Sequence, residues 1–278
     1  MYFDFNIFKE KATIRYLKQY DNCFLCWFVG FSEGNDSFIV DNKSNCTFFI
    51  INQKDPKVLF YIKENLGFGR VKGPYYQKFS EEKVSEYYKY VVSDKESCYF
   101  LSLLFKENLI LNKTKKKFNL WEENINIINK NENKSKVLNQ SVQQNSWLSG
   151  FIDAVACFSA FSVQSIDSVV EKELRIKFSI GQIGERALLL KIKKDLNVGY
   201  IESKDILSQD IYIISSLLSI PVIIQYLQKY PLHSNKNLSF VKWCKLITRL
   251  KDNKQDSRKF GTRAYARMIK LRKAINSF

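Results

Sequence analysis

The chain has 278 residues, 45% of them hydrophobic, which is enough to bury a sizeable core in one large or two medium domains. Its formal net charge of +16 favours a polyanionic partner, either nucleic acid or an anionic membrane. No apolar run approaches the roughly 20 residues that span a bilayer, so no membrane association is expected and nucleic acid is the predicted partner.

Composition also bears on metal content and compartment. Six scattered cysteines and the single His233 cannot supply four local zinc ligands, and we interpret the cysteines as reduced, mostly buried thiols. Lysine outnumbers arginine, and Asn, Ile, Phe and Tyr are abundant, as an AT-rich genome would encode. The first ten residues lack the Arg- and Ser-rich pattern of a transit peptide. Organelle encoding or a presequence already removed would both fit. We predict a mitochondrial, organelle-encoded protein.

The first half predicts the order helix, two strands, helix, two strands, helix. A helix is expected over 24–35, followed by strands near 37–41 and 46–52. Apolar residues at helical spacing predict a second helix over 57–66, which Gly67 and Gly69 end. Strands near 70–76 and 87–92 and a helix over about 96–107 complete the unit.

The second half repeats this order. Trp27 pairs with Trp147, Gln53 with Gln182, Gly69 with Gly199 and Trp121 with Trp243, in one order and at nearly constant offset. A helix over 188–196 is the counterpart of the helix over 57–66. The polar stretch 124–146 is predicted as a linker. The predicted division is an N-terminal extension at 1–23, repeats at 24–123 and 147–278 with the linker between them, and a basic final helix over about 261–275.

The first helix of each half carries a related motif. Residues 27–38 read WFVGFSEGNDSF and residues 147–158 read WLSGFIDAVACF. Both resemble the signature helices of the LAGLIDADG homing endonucleases, and the resemblance covers about residues 24–275. It implies an α+β fold of two pseudo-symmetric repeats, each with a saddle-shaped antiparallel sheet and flanking helices. The implied protein is a monomer with internal pseudo-twofold symmetry. Its motif helices would pack together through small residues spaced four apart, namely Gly30 and Gly34, and Gly150 and Ala154.

The resemblance also identifies what is missing. The eighth motif position of the family is a metal-binding acid, which is replaced here by Asn35 and Val155. Divalent metals in such a site need carboxylate ligands. Asp36 is the only weak remnant, and Glu33 and Asp153, at the sixth position, face elsewhere on the helix. No catalytic residue, metal or other cofactor is therefore predicted, and Mg²⁺ is expected only if the chain is an active endonuclease.

Candidate nucleic-acid-binding residues come from the resemblance and from strand alternation. Gln53 and Gln182 match a family position near the scissile phosphates, and Lys236 matches the region of an assisting basic residue. Side chains alternate across a strand, so the residue before each glutamine and its alternating predecessors should face the groove. In the second half these are Arg175, Lys177, Ser179 and Gly181, a polar and basic face. In the first half they are Cys46, Phe48, Ile50 and Asn52, a largely apolar face that would suit a protein or unpaired bases.

Other basic and aromatic candidates lie outside these two strands. They are Arg70 and Lys72, the residues Tyr75, Tyr76 and Lys78 on an expected loop after Pro74, the run of Lys113, Lys115, Lys116 and Lys117, and the stripe of Arg263, Arg267 and Lys270 on the last helix.

Two classes of function remain open. The first is a catalytically inactive LAGLIDADG-type protein that binds structured RNA in an organelle, as a mitochondrial ribosome component or a group I intron maturase. Its apolar first-repeat strand could then contact ribosomal proteins. The alternative is a homing endonuclease that makes metal-dependent double-strand cuts in DNA, or a decayed one that still binds DNA. Loss of both metal-binding acids favours the first class.

Overall fold

The computed structural model describes residues 3–41, 46–78, 84–125, 141–164, 172–204, 208–252 and 263–275. The chain divides into two compact units, Met1–Ala154 and Val155–Phe278. The predicted division into an extension, two repeats and a linker describes sequence repetition, whereas these two units are defined by contacts. That division therefore stays a prediction. No helix within the described ranges is long and apolar enough to cross a membrane.

The first unit contains one four-stranded antiparallel sheet. It begins with helices α1 (Asn6–Tyr16) and α2 (Asn22–Gly34), then strands β1 (Phe38–Asp41) and β2 (Cys46–Gln53). There follow α3 (Lys57–Leu66), β3 (Arg70–Lys78), β4 (Val84–Val92), α4 (Lys95–Phe105), α5 (Asn112–Asn124) and α6 (Trp147–Val155), whose last residue belongs to the second unit. The strand order is β1-β2-β4-β3.

Local signals explain where these helices begin and end. The side chain of Asp21 accepts a hydrogen bond from the Phe24 amide at the start of α2, and Asp94 does the same for the Ser97 amide at the start of α4. Such N-caps satisfy amides that have no partner within the helix. Helix α3 ends at Gly67, whose φ of +84° is a left-handed conformation that glycine adopts without strain.

One face of the first sheet is buried against aromatic residues of the helices. Phe49 on β2 is fully buried and lies against Phe28 of α2 and Phe105 of α4, with ring centroids 5.8 and 5.5 Å apart. Trp121 of α5 donates a hydrogen bond from its indole nitrogen to the Phe48 carbonyl, 3.0 Å away. Each buried aromatic side chain contributes about 1.5–3 kcal/mol, so this cluster fixes which face of the sheet stays open.

The second unit repeats the arrangement. Strands β5 (Ala156–Gln164), β6 (Lys172–Ile183), β7 (Tyr200–Lys204) and β8 (Gln209–Ile214) form an antiparallel sheet in the order β5-β6-β8-β7. Helix α7 (Arg186–Leu196) joins β6 to β7, and α8 (Ile220–Lys229), α9 (Lys236–Asp252) and α10 (Arg263–Ala274) follow. The repeat extends to detail, because Tyr90 and Tyr212 each donate a hydroxyl hydrogen bond to a backbone carbonyl, of Phe68 and Val198 respectively.

The predicted α+β class and the two repeated four-stranded sheets are confirmed. The predicted helices and strands match α2 to α4 and α7, and β1 to β4, within a few residues at most ends. The basic final helix is α10, while residues 261 and 262 lie outside the described residues. Positions 126–140 of the predicted linker also lie outside them, and its described end carries the short 3-10 helix Val142–Gln144.

The predicted N-terminal extension contains α1, whose Phe8 and Ala12 side chains are fully buried. Two other expectations were wrong. The segment 75–78 is strand rather than loop, because a register shift between Lys72 and Tyr75 accommodates Pro74 within the hairpin. The six cysteines are free, but Cys23, Cys46 and Cys157 are exposed rather than buried.

Candidate nucleic-acid interface

The two motif helices touch backbone to backbone. A Cβ atom built on Gly30 of α2 would lie 2.0 Å from the Trp147 carbonyl oxygen of α6, and one built on Gly150 would lie 1.9 Å from the Trp27 carbonyl oxygen. Side chains larger than hydrogen do not fit at either position. Gly30 and Gly150 thus occupy the predicted helix interface, while Gly34 and Ala154, one turn later, are half-buried.

Two reciprocal hydrogen bonds link the same helices. The Trp27 indole donates to Asp153 Oδ2 at 3.1 Å, and the Trp147 indole donates to Glu33 Oε2 at 2.7 Å. Both acids are at the sixth motif position and both are buried. This gives them a structural role.

Glu33 also anchors the loop before α5. Its Oε1 accepts hydrogen bonds from the amides of Ile110 and Leu111 at 2.6 and 2.7 Å. Burial raises the pKa of the Glu33 carboxyl to about 7, although these amides and the Trp147 indole act in the opposite direction. The residue is therefore committed to holding α2, α6 and this loop together.

The eighth motif positions are not suited to a divalent metal. Asn35 caps the C-terminus of α2, where its Nδ2 donates to the Phe31 carbonyl at 2.7 Å. Its Oδ1 accepts a hydrogen bond from Gln53 Nε2 at 2.9 Å. Val155 ends α6 with an aliphatic side chain. Both polar atoms of the neutral Asn35 amide are already in hydrogen bonds, and the isopropyl group of Val155 has no ligand atom. These two side chains cannot replace a pair of carboxylates, so they do not fit the divalent metals that the resemblance implies.

Asp36, the residue after Asn35, has a φ of +52° and lies in an ion pair with Lys117. Its Oδ2 is 3.2 Å from Lys117 Nζ, and both side chains are about half exposed. Within the described ranges no group of three or more His, Cys, Asp or Glu side chains could hold a metal ion. Asp36 is therefore part of no such group among the described residues.

The two matched glutamines differ. Gln53 is half-buried and is held by Asn35, as described above. Gln182 ends the equivalent strand β6 and is 5% exposed. In the part of the chain that the structure describes, its Oε1 accepts no hydrogen bond. Burial places Gln182 on the core side of its sheet, and its predicted role near phosphates stays a prediction.

Each sheet has an open face opposite its buried face, and the expected alternation is observed. In β6, Leu174, Ile176, Phe178 and Ile180 are buried, while Arg175, Lys177, Ser179 and Gly181 lie on the open face. In β2, Phe49 and Ile51 are buried, while Cys46, Phe48, Ile50 and Asn52 lie on the open face. The second open face is therefore basic and polar along β6, and the first is largely apolar along β2.

The hairpin β3–β4 adds cations to the first open face. Cross-strand pairing places Arg70 opposite Val91, Lys72 opposite Lys89, and Tyr75 opposite Tyr87. Lys89 Nζ lies 5.0 and 5.6 Å from the ring centroids of Tyr75 and Tyr87, within cation–π range. Lys89 and Tyr87 were not predicted, although the alternation of β4 could have indicated them. Tyr76 and Lys78 pair with Glu86 and Val84 on the opposite side of the hairpin.

The remaining basic candidates lie on helices. Lys113 and Lys115 are half-buried on α5, and Lys116 and Lys117 are exposed there. Lys236 begins α9 and is half-buried. Arg263, Arg267 and Lys270 are exposed on α10, as a cationic stripe requires.

Comparisons with known proteins agree with this geometry. Residues 148–247 match the family described as LAGLIDADG endonuclease. The chain is 30% identical over 241 residues to "probable intron-encoded endonuclease 4" of Neurospora crassa, covering 85% of this chain and 42% of that protein. It is 28% identical over 214 residues to the "uncharacterized cox1 intron-2 37.2 kDa protein" of Schizosaccharomyces pombe, covering 72% of this chain and 58% of that one. The chain thus spans about half the length of these curated relatives.

Solved structures share the fold. The meganuclease I-SmaMI bound to cleaved DNA has a TM-score of 0.70 at 18% identity, covering 91% of this chain and 96% of that one. The homing endonuclease I-LtrWI bound to target DNA has a TM-score of 0.69 at 19% identity, covering 91% of this chain and 98% of that one. The family match shows that residues 148–247 form a LAGLIDADG endonuclease domain, and the solved structures show that the chain as a whole shares the fold of the LAGLIDADG homing endonucleases.

Proposed function

We propose that this chain is an intron-encoded protein that binds duplex DNA and does not cut it. The absence of cutting is supported by the hydrogen bonding of Asn35, which occupies the position where the family has a metal ligand. The Asn35 side-chain amide forms hydrogen bonds with Gln53 and with the Phe31 carbonyl. Phosphodiester cleavage in this family depends on divalent metals, and neither Asn35 nor Val155 supplies the carboxylate that would hold one.

Three features support DNA as the partner. The net charge of +16 attracts a phosphate backbone. Each open sheet face presents cations, Arg175 and Lys177 on the second and Arg70, Lys72 and Lys89 on the first. Several solved relatives of the same fold are described as bound to DNA. The cox1 intron product among the relatives and the AT-rich-type composition support organellar encoding and a mitochondrial site of action.

Binding-site selection tests the DNA-binding part. The full chain would be incubated with a randomised duplex DNA library at about 0.15 M salt in the presence of excess nonspecific competitor. A monomeric complex with an enriched consensus is the expected result. An Arg175→Ala, Lys177→Ala variant should bind that consensus more weakly. Failure to enrich any sequence over several rounds would contradict the proposal.

Structured RNA is the second candidate, either a group I intron or ribosomal RNA with neighbouring ribosomal proteins. One observation favours it: Phe48, Tyr75 and Tyr87 present aromatic side chains on the first open face, where unpaired bases could stack. Crosslinking of the chain to RNA in purified mitochondria, followed by sequencing of the bound RNA, tests it. Recovery of intron or ribosomal RNA at defined positions would support this candidate over DNA.

A further inference from the structure

The open face of the first sheet is divided into two zones. Ile39, Phe48, Ile50 and Val91 form the apolar zone. It crosses three neighbouring strands, because Ile39 pairs with Phe48 across β1 and β2, and Ile50 pairs with Val91 across β2 and β4. These side chains are half-buried or, for Ile39, 37% exposed. The zone is thus accessible to a ligand.

The second zone is cationic and adjoins the first. It consists of Arg70, Lys72 and Lys89 with Tyr75 and Tyr87, and Arg70 pairs directly with Val91 of the apolar zone. The two rings lie beside the Lys89 ammonium group. Among the described strand residues, the acidic side chain on this face is Asp41, which lies at the far end of β1 opposite Cys46. A polyanion would therefore be held by the cationic zone with its interior groups over the apolar zone.

The chemistry of DNA bases suggests what the apolar zone contacts. The thymine C5-methyl is the apolar group that base edges display in the major groove, where the other bases display hydrogen-bond donors and acceptors. Covering such a polar edge with Phe48 or Ile50 would leave it unsatisfied, which is unfavourable. We infer that the apolar zone selects thymines in the half-site that the first repeat contacts, an inference that rests on the proposed DNA binding.

The size of the zone sets the number of thymines. Strands lie roughly 4.8 Å apart, so three of them span about 10 Å, and residues two apart along a strand are separated by about 7 Å. Base pairs rise about 3.4 Å along duplex DNA. The apolar zone therefore covers roughly two or three consecutive base pairs. RNA lacks the methyl group and hides its major groove edges, so the same zone would not discriminate in this way on RNA.

Replacement of thymine by deoxyuridine tests the inference, because it removes only the methyl group. The probe is the duplex that the full chain selects from a random library, with uracil substituted in one half-site at a time. Loss of each buried methyl should weaken binding roughly fourfold, and loss of two or three by about 15- to 60-fold. One half-site should show this loss, and the other should change less than about twofold.

Two variants assign the effect. Ile50→Ala should lower the ratio of affinity for the thymine duplex to affinity for the uracil duplex. Arg175→Ala, on the other sheet, should weaken binding of both duplexes equally and keep the ratio between them. Circular dichroism of both variants would confirm that they fold.

The outcomes separate the two proposals. A selected duplex whose binding is unaffected by uracil in either half-site overturns the inference and leaves DNA binding intact. A thymine preference that survives in Ile50→Ala and in Phe48→Ala also overturns it. If the chain selects no duplex and binds RNA instead, both the inference and the proposed function fail.

Discussion

Replacement of Gly30 by alanine tests the packing of the motif helices. The added Cβ would lie 2.0 Å from the Trp147 carbonyl oxygen and 2.9 Å from the Phe151 amide nitrogen, whereas an ordinary contact begins near 3.4 Å. Both atoms belong to the backbone of α6, so no rotamer change relieves the clash. The helices would have to separate by more than an ångström, which would loosen the buried Trp27 and Trp147 contacts. Overpacking that side chains can absorb costs about 1–3 kcal/mol, and we expect at least 3 kcal/mol here.

Urea unfolding followed by tryptophan fluorescence measures this change. Alanine is intrinsically the better helix former by about 1 kcal/mol, so the observed loss is a lower bound on the cost of the clash. Lys63→Ala, at an exposed position of α3, is the control and should change the free energy of unfolding by less than about 0.5 kcal/mol. A Gly30→Ala variant as stable as that control would refute the close approach of α2 and α6.

Two further predictions concern pH and salt. The pKa of Glu33 is about 7 in the folded protein and 4.5 ordinarily, so the folded protein binds the carboxyl proton more tightly than the unfolded chain does. The protonated Glu33 therefore stabilises the fold below pH 4.5, and this stabilisation is lost as the pH rises to about 7. The free energy of unfolding should fall by about 3 kcal/mol over that window, and this component should be missing in Glu33→Gln; parallel pH profiles for the two proteins would contradict the assignment. In DNA binding, each cation removed from β6, by Arg175→Ala or Lys177→Ala, should reduce the slope of log K against log salt by about 0.9, while Ile50→Ala should leave the slope unchanged. Equal slopes for all three variants would show that the β6 cations do not contact phosphates.

Much of the fold could be predicted because it depends on local patterns. The alternation of apolar residues in β2 and β6 indicated which side chains lie on the open faces, and small residues at helical spacing indicated the contact at Gly30 and Gly150. Helix α5 was missed, since the lysine run 113–117 suggested only a charged surface. The buried residues Thr114, Phe118 and Trp121, at helical spacing, were the signal for it.

The site was harder to predict because its key contacts are distant in sequence. The hydrogen bond from Gln53 to Asn35 and the ion pair of Lys117 with Asp36 depend on how β2 and α5 pack against α2. The position of Lys89 beside Tyr75 and Tyr87 depends on the register of β3 with β4, which Pro74 obscures in the sequence. Net charge indicated a polyanion, and it carries no information that separates DNA from RNA.

Incubation of a plasmid that carries the selected duplex with the full chain and Mg²⁺ tests directly whether this chain binds DNA without cutting it. Protein would be added in excess, at a concentration where footprinting shows the site to be occupied. We expect an occupied site and a plasmid that stays supercoiled, because neither Asn35 nor Val155 offers a carboxylate to a metal. Appearance of Mg²⁺-dependent linear plasmid cut at that site would contradict it.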